Sequence, residues 1–310
     1  MHEEITIPEL TEVIARLAGV LGPREGGVRP LEGGITNRNY RVNFGGDEYV
    51  VRLPGKDTNL LGIDREAERL ATKQASALGI GPKVAAMFED PPCLVTCFVE
   101  GRELTSDELR DPDVLTEVAR GLRAFHDSGL ELPTEFQVHD VVREYAAVAE
   151  SKGGELPDAY EGALEGAGEI VKAVGDHPEH RASPNHNDLL AANFLQSPDG
   201  VVIVDWEYAG MGDPFFDLGN FAVNNELGAD DADRLLEAYF GEPATERRRA
   251  ALNLFRFMSD FREAMWGVVQ TSVSELDFDF AGYATKHFER LDETAGDPRF
   301  RTWLEDAGGD

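Results

Sequence analysis

The sequence predicts an α+β fold of two unequal lobes. Short strand patterns and one helix dominate the N-terminal third, and helical patterns with apolar stripes dominate the rest. A β-hairpin with acidic residues at its ends interrupts the helical part. We therefore expect a small N-terminal lobe, residues 1–99, with an antiparallel sheet, and a larger, mainly helical lobe, residues 100–310.

The small lobe begins with a predicted helix and a glycine turn. Thr6 and Glu9 form a capping-box pattern, in which each side chain satisfies a backbone N–H group at the start of a helix. Further on, Gly33-Gly34 with Thr36 and Asn37 predicts a tight turn between strands. Such a turn can lay backbone N–H groups over phosphates.

The rest of the small lobe is predicted from strand and helix patterns. A strand over Glu48 to Leu53 carries Arg52, and a helix runs from Arg65 to Leu78. A further strand over Leu94 to Val99 leads into the second lobe through a glycine-containing crossover.

The large lobe is predicted to be mainly helical. Helices are expected from Asp111-Pro112 onwards, over Leu252 to Val273 and over Phe278 to Leu291. His126 continues the apolar face of the first of these, so we predict a hydrogen-bonded core histidine and not a catalyst.

The most specific pattern lies around the hairpin. His186, Asp188 and Asn193 follow the spacing H-x-D-x-x-x-x-N, and Asp205 comes at the end of the next strand. Phosphoryl transfer from ATP needs one carboxylate to orient the attacking hydroxyl, and an amide and a second carboxylate to hold magnesium against the phosphates. The spacing therefore predicts ATP and Mg²⁺ as the cofactors, with Asp188, Asn193 and His186 as the catalytic set and Asn193 and Asp205 as metal ligands.

Amino-acid composition limits which partners the protein can bind and indicates its environment. The chain has 59 acidic and 29 basic residues and a net charge of −30, which argues against nucleic acid and anionic membranes. Lysine is scarce, and such an acidic surface favours a halophilic protein, with an ordinary acidic cytosolic enzyme as the alternative. Free thiols are expected at Cys93 and Cys97, and with no signal-peptide pattern we expect a cytoplasmic protein without membrane insertion. Its oligomeric state stays open.

The chain resembles the aminoglycoside phosphotransferase and choline kinase superfamily, and most of all the choline/ethanolamine kinases. This resemblance implies a bilobal, protein-kinase-like fold. It extends over nearly the whole chain and rests on these segments: Gly33 to Asn37, Val51 to Gly55, Ile63 to Glu68, Gly79 to Pro82, His186 to Asn193, Val204 to Gly210, Asp213 to Asn220, Met265 to Gln270 and Phe278 to Ala284.

The resemblance also implies roles on the nucleotide side. Arg52 stands where protein kinases have lysine, and its helix partner would be Glu68, with Glu66 as the alternative. A bidentate guanidinium suits phosphate oxygens, so the exchange is chemically sound. The backbone from Val95 to Phe98 would hold adenine.

On the acceptor side the resemblance implies a small, cationic amino alcohol, choline or ethanolamine. The candidate residues are Trp206, Glu207, Tyr208, Glu263 and Trp266. Eukaryotic choline kinases carry a tryptophan at the position of Glu263, so its carboxylate suits a primary amine better than a quaternary one. An aminoglycoside, thiamine or sugar acceptor stays open, as does a non-catalytic nucleotide-binding pseudokinase.

Overall fold

The computed structural model describes residues 7–31, 36–56 and 58–308 of the 310 residues. Thr6, the predicted cap of the first helix, lies outside the described residues. Gly33 and Gly34 of the predicted turn also lie outside them.

The N-terminal part is built on a five-stranded antiparallel sheet. Its spatial order is β1-β2-β3-β5-β4. The strands are β1 (Arg24–Leu31), β2 (Asn37–Phe44), β3 (Asp47–Pro54), β4 (Val84–Glu89) and β5 (Pro92–Cys97). Helix α1 (Pro8–Leu21) covers one face of this sheet, burying Leu10, Val13 and Leu17 against strand residues that include Phe44 and Val51.

Helix α2 spans Arg65–Leu78, the bounds predicted from the sequence. Asp64 caps its start by accepting hydrogen bonds from the backbone N–H groups of Glu66 and Ala67, and Gly79 ends it in the left-handed conformation at φ 76°. The alanine face of α2 belongs to the apolar core of the C-terminal part, whereas the sheet and α1 have a core of their own. The helix therefore connects the two parts.

The C-terminal part is mainly helical. Its elements are β6 (Arg102–Glu103), α3 (Ser106–Leu109), α4 (Pro112–His126), α5 (Val138–Ser151), α6 (Tyr160–Val174), β7 (Ser183–Asn185), β8 (Phe194–Ser197), β9 (Gly200–Ile203), β10 (Gly210–Gly212), α7 (Pro214–Asn224), α8 (Ala229–Phe240), α9 (Glu246–Val273), α10 (Phe280–Ala295) and α11 (Phe300–Ala307). Short 3₁₀ turns lie at Thr58–Leu61, Pro178–His180 and Ala191–Asn193.

Helix α9 is the centre of this part. It packs against α5, α7, α10 and α11, and it is buried on nearly every side along its second half. It begins earlier than predicted because Thr245 caps it, the hydroxyl accepting from the backbone N–H of Arg248 at 3.2 Å. A helix that is enclosed all round must pair any charged side chain it carries.

The predicted hairpin is formed by β8 and β9, which pair antiparallel, with β6 added at the edge. The α+β fold with an N-terminal antiparallel sheet and a mainly helical C-terminal part is confirmed. A lobe boundary at residue 99 stays a prediction. Within the described ranges, no helix has the length and apolar character needed to cross a bilayer.

Candidate active site

The segment from His186 to Asn193 is a loop held from both sides by hydrogen bonds. The Nε2 atom of His186 lies 3.0 Å from the carbonyl oxygen of Val204, so the proton belongs on this nitrogen. Its Nδ1 atom then accepts from the backbone N–H of Asp188 at 3.2 Å. Burial lowers the pKa of His186, which keeps the ring neutral. His186 therefore orients Asp188, and its ring is buried beneath the loop.

Asp217 supports the same loop from below, a role that sequence reasoning missed. Its buried carboxylate accepts from the backbone N–H groups of His186 at 2.8 Å and Asn187 at 2.7 Å. It also lies 2.9 Å from Nε2 of His126. Burial opposes ionisation, but the hydrogen bond and charge of His126 hold the pKa of Asp217 below its ordinary value. These bonds support Asn187 in a left-handed conformation at φ 66°.

His126 is the buried, hydrogen-bonded residue that its helix pattern predicts. Its second ring nitrogen, Nδ1, lies 2.7 Å from the hydroxyl of Tyr239. Both cysteines are free, with Cys93 buried in the sheet core.

Asp188 remains partly accessible, its side chain being 14 % exposed. Asn193 donates from its amide nitrogen to the Asp188 backbone oxygen at 2.8 Å and to Oδ2 at 3.2 Å. Burial raises the pKa of Asp188 to about 7, and the nearby Arg262 guanidinium counteracts the rise. A carboxylate with such a pKa is suited to receive a proton near neutral pH.

Arg52 lies between two carboxylates from different parts of the fold. Its Nη1 atom is 3.1 Å from Glu68 on α2 and 2.5 Å from Asp205, which follows the hairpin. Glu66, the alternative partner, instead pairs with Arg69 on the surface. Burial opposes the charge on Arg52, but the surrounding carboxylates hold its pKa above the ordinary value.

A cleft of about 690 Å³ opens between the sheet and the hairpin. Leu94, Thr96 and Phe98 line it on one side, and Asn193 and Asp205 line it on the other. Val95 points away into the core of the sheet, so only its backbone is available, as the adenine prediction requires.

Glu207 joins the two parts of the fold instead of facing an acceptor. One carboxylate oxygen accepts from the hydroxyl of Thr36, and the other accepts from the amide nitrogen of Asn37 at 2.7 Å. Arg65 of α2 lies 3.6 Å away. Burial and the nearby Asp205 raise the pKa of Glu207 to about 8. The predicted nucleotide residues Thr36 and Asn37 are thus attached to the segment that carries Asp205.

Trp206 is a core residue. Its ring is 1 % exposed and packs against Phe125 and His186 at centroid distances of 4.4 and 4.5 Å. Its indole N–H donates to the carbonyl oxygen of Ile203 at 3.0 Å. The structure therefore does not bring the Trp206 ring to the group that surrounds Asp188 on the acceptor side.

The remaining acceptor candidates do meet one another. The indole N–H of Trp266 donates to the hydroxyl of Tyr208 at 2.9 Å, and the hydroxyl of Tyr283 donates to Glu263 at 2.7 Å. A residue absent from the prediction lies among them. Arg262 is 1 % exposed, and its Nη1 atom lies 2.9 Å from Glu263 and 3.8 Å from Asp188. A charged pair within an apolar helix was the sequence signal for it.

The residues at the end of the cleft suit magnesium. Because the Asn193 amide nitrogen is bonded to Asp188, its amide oxygen is the atom left for a metal. Asp205 supplies a carboxylate beside it. In the described part of the chain no cluster of three or more His, Cys, Asp or Glu could hold a metal. Mg²⁺ needs no such cluster, since it binds through one or two carboxylates together with phosphates and water.

Comparison with known proteins identifies the family. Residues 27–252 match the model of the APH phosphotransferase enzyme family. The chain belongs to this family. A LicA protein of Haemophilus influenzae is 28 % identical over 82 % of this chain and 96 % of its own length. Mouse ethanolamine kinase 2 is 27 % identical over 94 % of this chain and 82 % of its own length.

A solved structure agrees with these relatives. The choline/ethanolamine kinase family protein from Mesorhizobium loti superposes with a TM-score of 0.81 at 28 % identity, covering 97 % of this chain and 99 % of that one. The chain is therefore a small-molecule kinase with a protein-kinase-like fold.

Proposed function

We propose that this phosphotransferase uses ATP and Mg²⁺ to phosphorylate the hydroxyl of a small amino alcohol, ethanolamine or choline. The observation that carries the proposal is the group formed by Asp188, Asn193 and Asp205, with Arg52 bound to Asp205 at 2.5 Å. These are the carboxylate, amide, second carboxylate and cation that phosphoryl transfer requires.

In the proposed reaction the acceptor oxygen forms a bond to the γ-phosphorus while the bond to the ADP oxygen breaks. The hydroxyl proton passes to the carboxylate of Asp188, which Asn193 and His186 orient. The products are a phosphomonoester and ADP. Positioning and charge neutralisation supply most of the rate enhancement, because the transition state is loose.

Asn193 and Asp205 would hold the magnesium ion. When bound, the metal neutralises charge on the transferred phosphoryl group and on ADP. Arg52 contributes a fixed positive charge beside Asp205, and Glu68 keeps that guanidinium in position.

The acceptor is proposed from the relatives and from the residues near Asp188. Ethanolamine kinase 2 of mouse covers most of this chain, and the M. loti protein bears a choline/ethanolamine kinase description. Tyr208, Trp266 and Tyr283 form an aromatic group on the acceptor side, in which Trp266 donates a hydrogen bond to Tyr208 and meets Tyr283 edge to face. The fold is also shared with an aminoglycoside phosphotransferase, at a TM-score of 0.63, so the choice of acceptor needs a direct test.

The test is an ATP-consumption screen with choline, ethanolamine, thiamine, aminoglycosides and sugars, run in molar KCl and at low salt. We expect magnesium-dependent ADP production with an amino alcohol, and Asp188→Asn serves as the inactive control. Turnover of an aminoglycoside or sugar alone would replace the proposed acceptor. Absence of ADP with every alcohol in both salts would refute the proposed activity.

A further inference from the structure

Arg262 is a permanent cation built into the acceptor side of the candidate site. It is 1 % exposed, lies on helix α9, and approaches Asp188 to 3.8 Å. The acceptor hydroxyl must reach Asp188 to react, so the rest of a small acceptor lies close to this guanidinium. The charge of Arg262 is not lost by burial, because neighbouring Glu263 and the groups around it hold its pKa well above the ordinary value.

The guanidinium also covers an aromatic face. Its central carbon lies 4.3 Å from the ring centroid of Tyr208, within the range of a cation–π contact. The guanidinium therefore occupies a position over the ring where the methyl groups of a quaternary ammonium could otherwise pack. Trp266 and Tyr283 meet each other edge to face, with centroids 5.6 Å apart, and Trp266 is fixed by its hydrogen bond to Tyr208.

Glu263 is already neutralised. Its Oε1 atom lies 2.9 Å from Arg262 and 3.4 Å from the amide nitrogen of Asn220, and its Oε2 atom accepts from Tyr283 at 2.7 Å. The side chain is 2 % exposed. The carboxylate that was predicted from the sequence to bind an acceptor cation is therefore already paired with Arg262 inside the protein.

We infer that the Arg262–Glu263 pair sets acceptor specificity by rejecting a quaternary ammonium, so that the preferred acceptor is an alcohol with a primary amine. The inference rests on the proposed function and narrows it. A quaternary ammonium gains binding energy only from charge and aromatic faces. Here Arg262 neutralises the carboxylate of Glu263 and occupies the Tyr208 face.

A primary ammonium is affected less by the same pair. It is smaller and carries N–H donors, so it can form hydrogen bonds with carboxylate and phenol oxygens that a methylated nitrogen cannot form. Tyr283 is partly exposed and Asp188 is 14 % exposed, and both offer such oxygens. Discrimination between the primary and the quaternary ammonium therefore arises from exclusion by the Arg262 guanidinium as well as from hydrogen bonds to the primary one.

The test compares ethanolamine and choline in the wild type, Arg262→Met and the double variant Arg262→Met/Glu263→Gln. The double variant removes both charges of the Arg262–Glu263 pair. It therefore tests the inference even where the single variant, with an unpaired Glu263, fails to fold. Arg256→Met is the matched control, since Arg256 is a partly buried arginine of the same helix α9 and donates to the carbonyl oxygen of Leu227 at 2.9 Å. Circular dichroism verifies folding of each variant.

We expect the wild type to favour ethanolamine over choline by about tenfold or more in kcat/KM, and either Arg262 variant to shift this ratio towards choline by at least about tenfold. Arg256→Met should leave the ratio unchanged. A wild type that favours choline, or a ratio that does not move in a folded Arg262 variant, would overturn the inference.

A binding measurement separates this inference from the proposed reaction. Tetramethylammonium and methylammonium are titrated into each protein by calorimetry at one fixed KCl concentration. We expect the wild type to prefer methylammonium and the double variant to gain affinity for tetramethylammonium by about tenfold. Tighter binding of tetramethylammonium by the wild type overturns the inference. A lack of phosphorylation with intact methylammonium preference would instead refute only the proposed reaction.

Discussion

Replacement of Glu207 by alanine should weaken nucleotide binding without touching the reacting groups. The side chain accepts hydrogen bonds from Thr36 and Asn37, and it follows Asp205 by two positions in the sequence. Burial and the nearby Asp205 raise the pKa of Glu207 to about 8, so the side chain is mostly protonated and neutral at pH 7. Each of the two hydrogen bonds is therefore taken at the value for neutral groups, about 1 kcal/mol. We therefore expect a net loss of about 2 kcal/mol, which is roughly a 30-fold rise in KM for ATP.

Glutamine at position 207 provides a control of the same shape. The amide oxygen of Asn37 is buried without a hydrogen-bond partner among the described residues. If the Asn37 amide turns over, its oxygen can accept from the new glutamine while its nitrogen is released. We expect Glu207→Gln to raise KM for ATP by less than about fivefold.

The assay is steady-state kinetics with ATP varied at saturating acceptor, together with thermal unfolding of both variants. A rise in KM that is much larger than the change in kcat is the expected signature for Glu207→Ala. The reasoning fails if alanine raises KM for ATP by less than about threefold, or if glutamine is as damaging as alanine.

Four further results are expected. Asp188→Asn should lower kcat by about 10²–10⁴-fold while calorimetry finds Mg-ATP affinity nearly unchanged, and lost nucleotide binding would contradict its role. Asp205→Ala should remove the magnesium-dependent part of nucleotide affinity, so a titration equal with and without Mg²⁺ is expected, and a retained difference would argue against it. Asp217→Asn should lower the free energy of unfolding in urea by about 2–4 kcal/mol, because an amide cannot accept from both His186 and Asn187 as the carboxylate does; an unchanged midpoint would reject this. Finally, the net charge of −30 predicts that the thermal midpoint rises with KCl, and a flat or falling midpoint would remove the halophile hypothesis.

The parts of the fold that follow local rules could be predicted from the sequence. Helix α2 has an aspartate cap, an alanine face and a terminal glycine, and its observed bounds are the predicted ones. The loop and hairpin around Asp188 could also be predicted from the sequence, because spacing along the chain determines how a tight loop presents its side chains. The helix that starts at residue 246 was predicted too short, since its first turns carry arginines and depend on the Thr245 cap instead of on an apolar face.

The supporting residues could not be predicted in the same way, because their partners are remote in the sequence. Asp217 bonds to a loop 31 residues away, and Glu207 bonds to Asn37 at a separation of 170 residues. The resemblance to choline/ethanolamine kinases, together with residue type, indicated that Trp206 and Glu207 belonged to an acceptor group. In the structure one fills the core and the other connects the two parts of the fold, which only tertiary packing determines.

The acceptor side illustrates why a buried charge has to be considered with its partner. Read alone, Glu263 is a negative group that would attract a cation. Its sequence neighbour Arg262 turns to the same side of the helix and neutralises it, while the guanidinium itself faces Asp188 and Tyr208. An isolated carboxylate would be costly at 2 % exposure, so Glu263 is stable in this helix only together with Arg262 or after both charges are replaced. The consequence for function is that specificity depends on the pair as a unit, and exchange of either residue alone leaves an uncompensated charge beside the reacting hydroxyl.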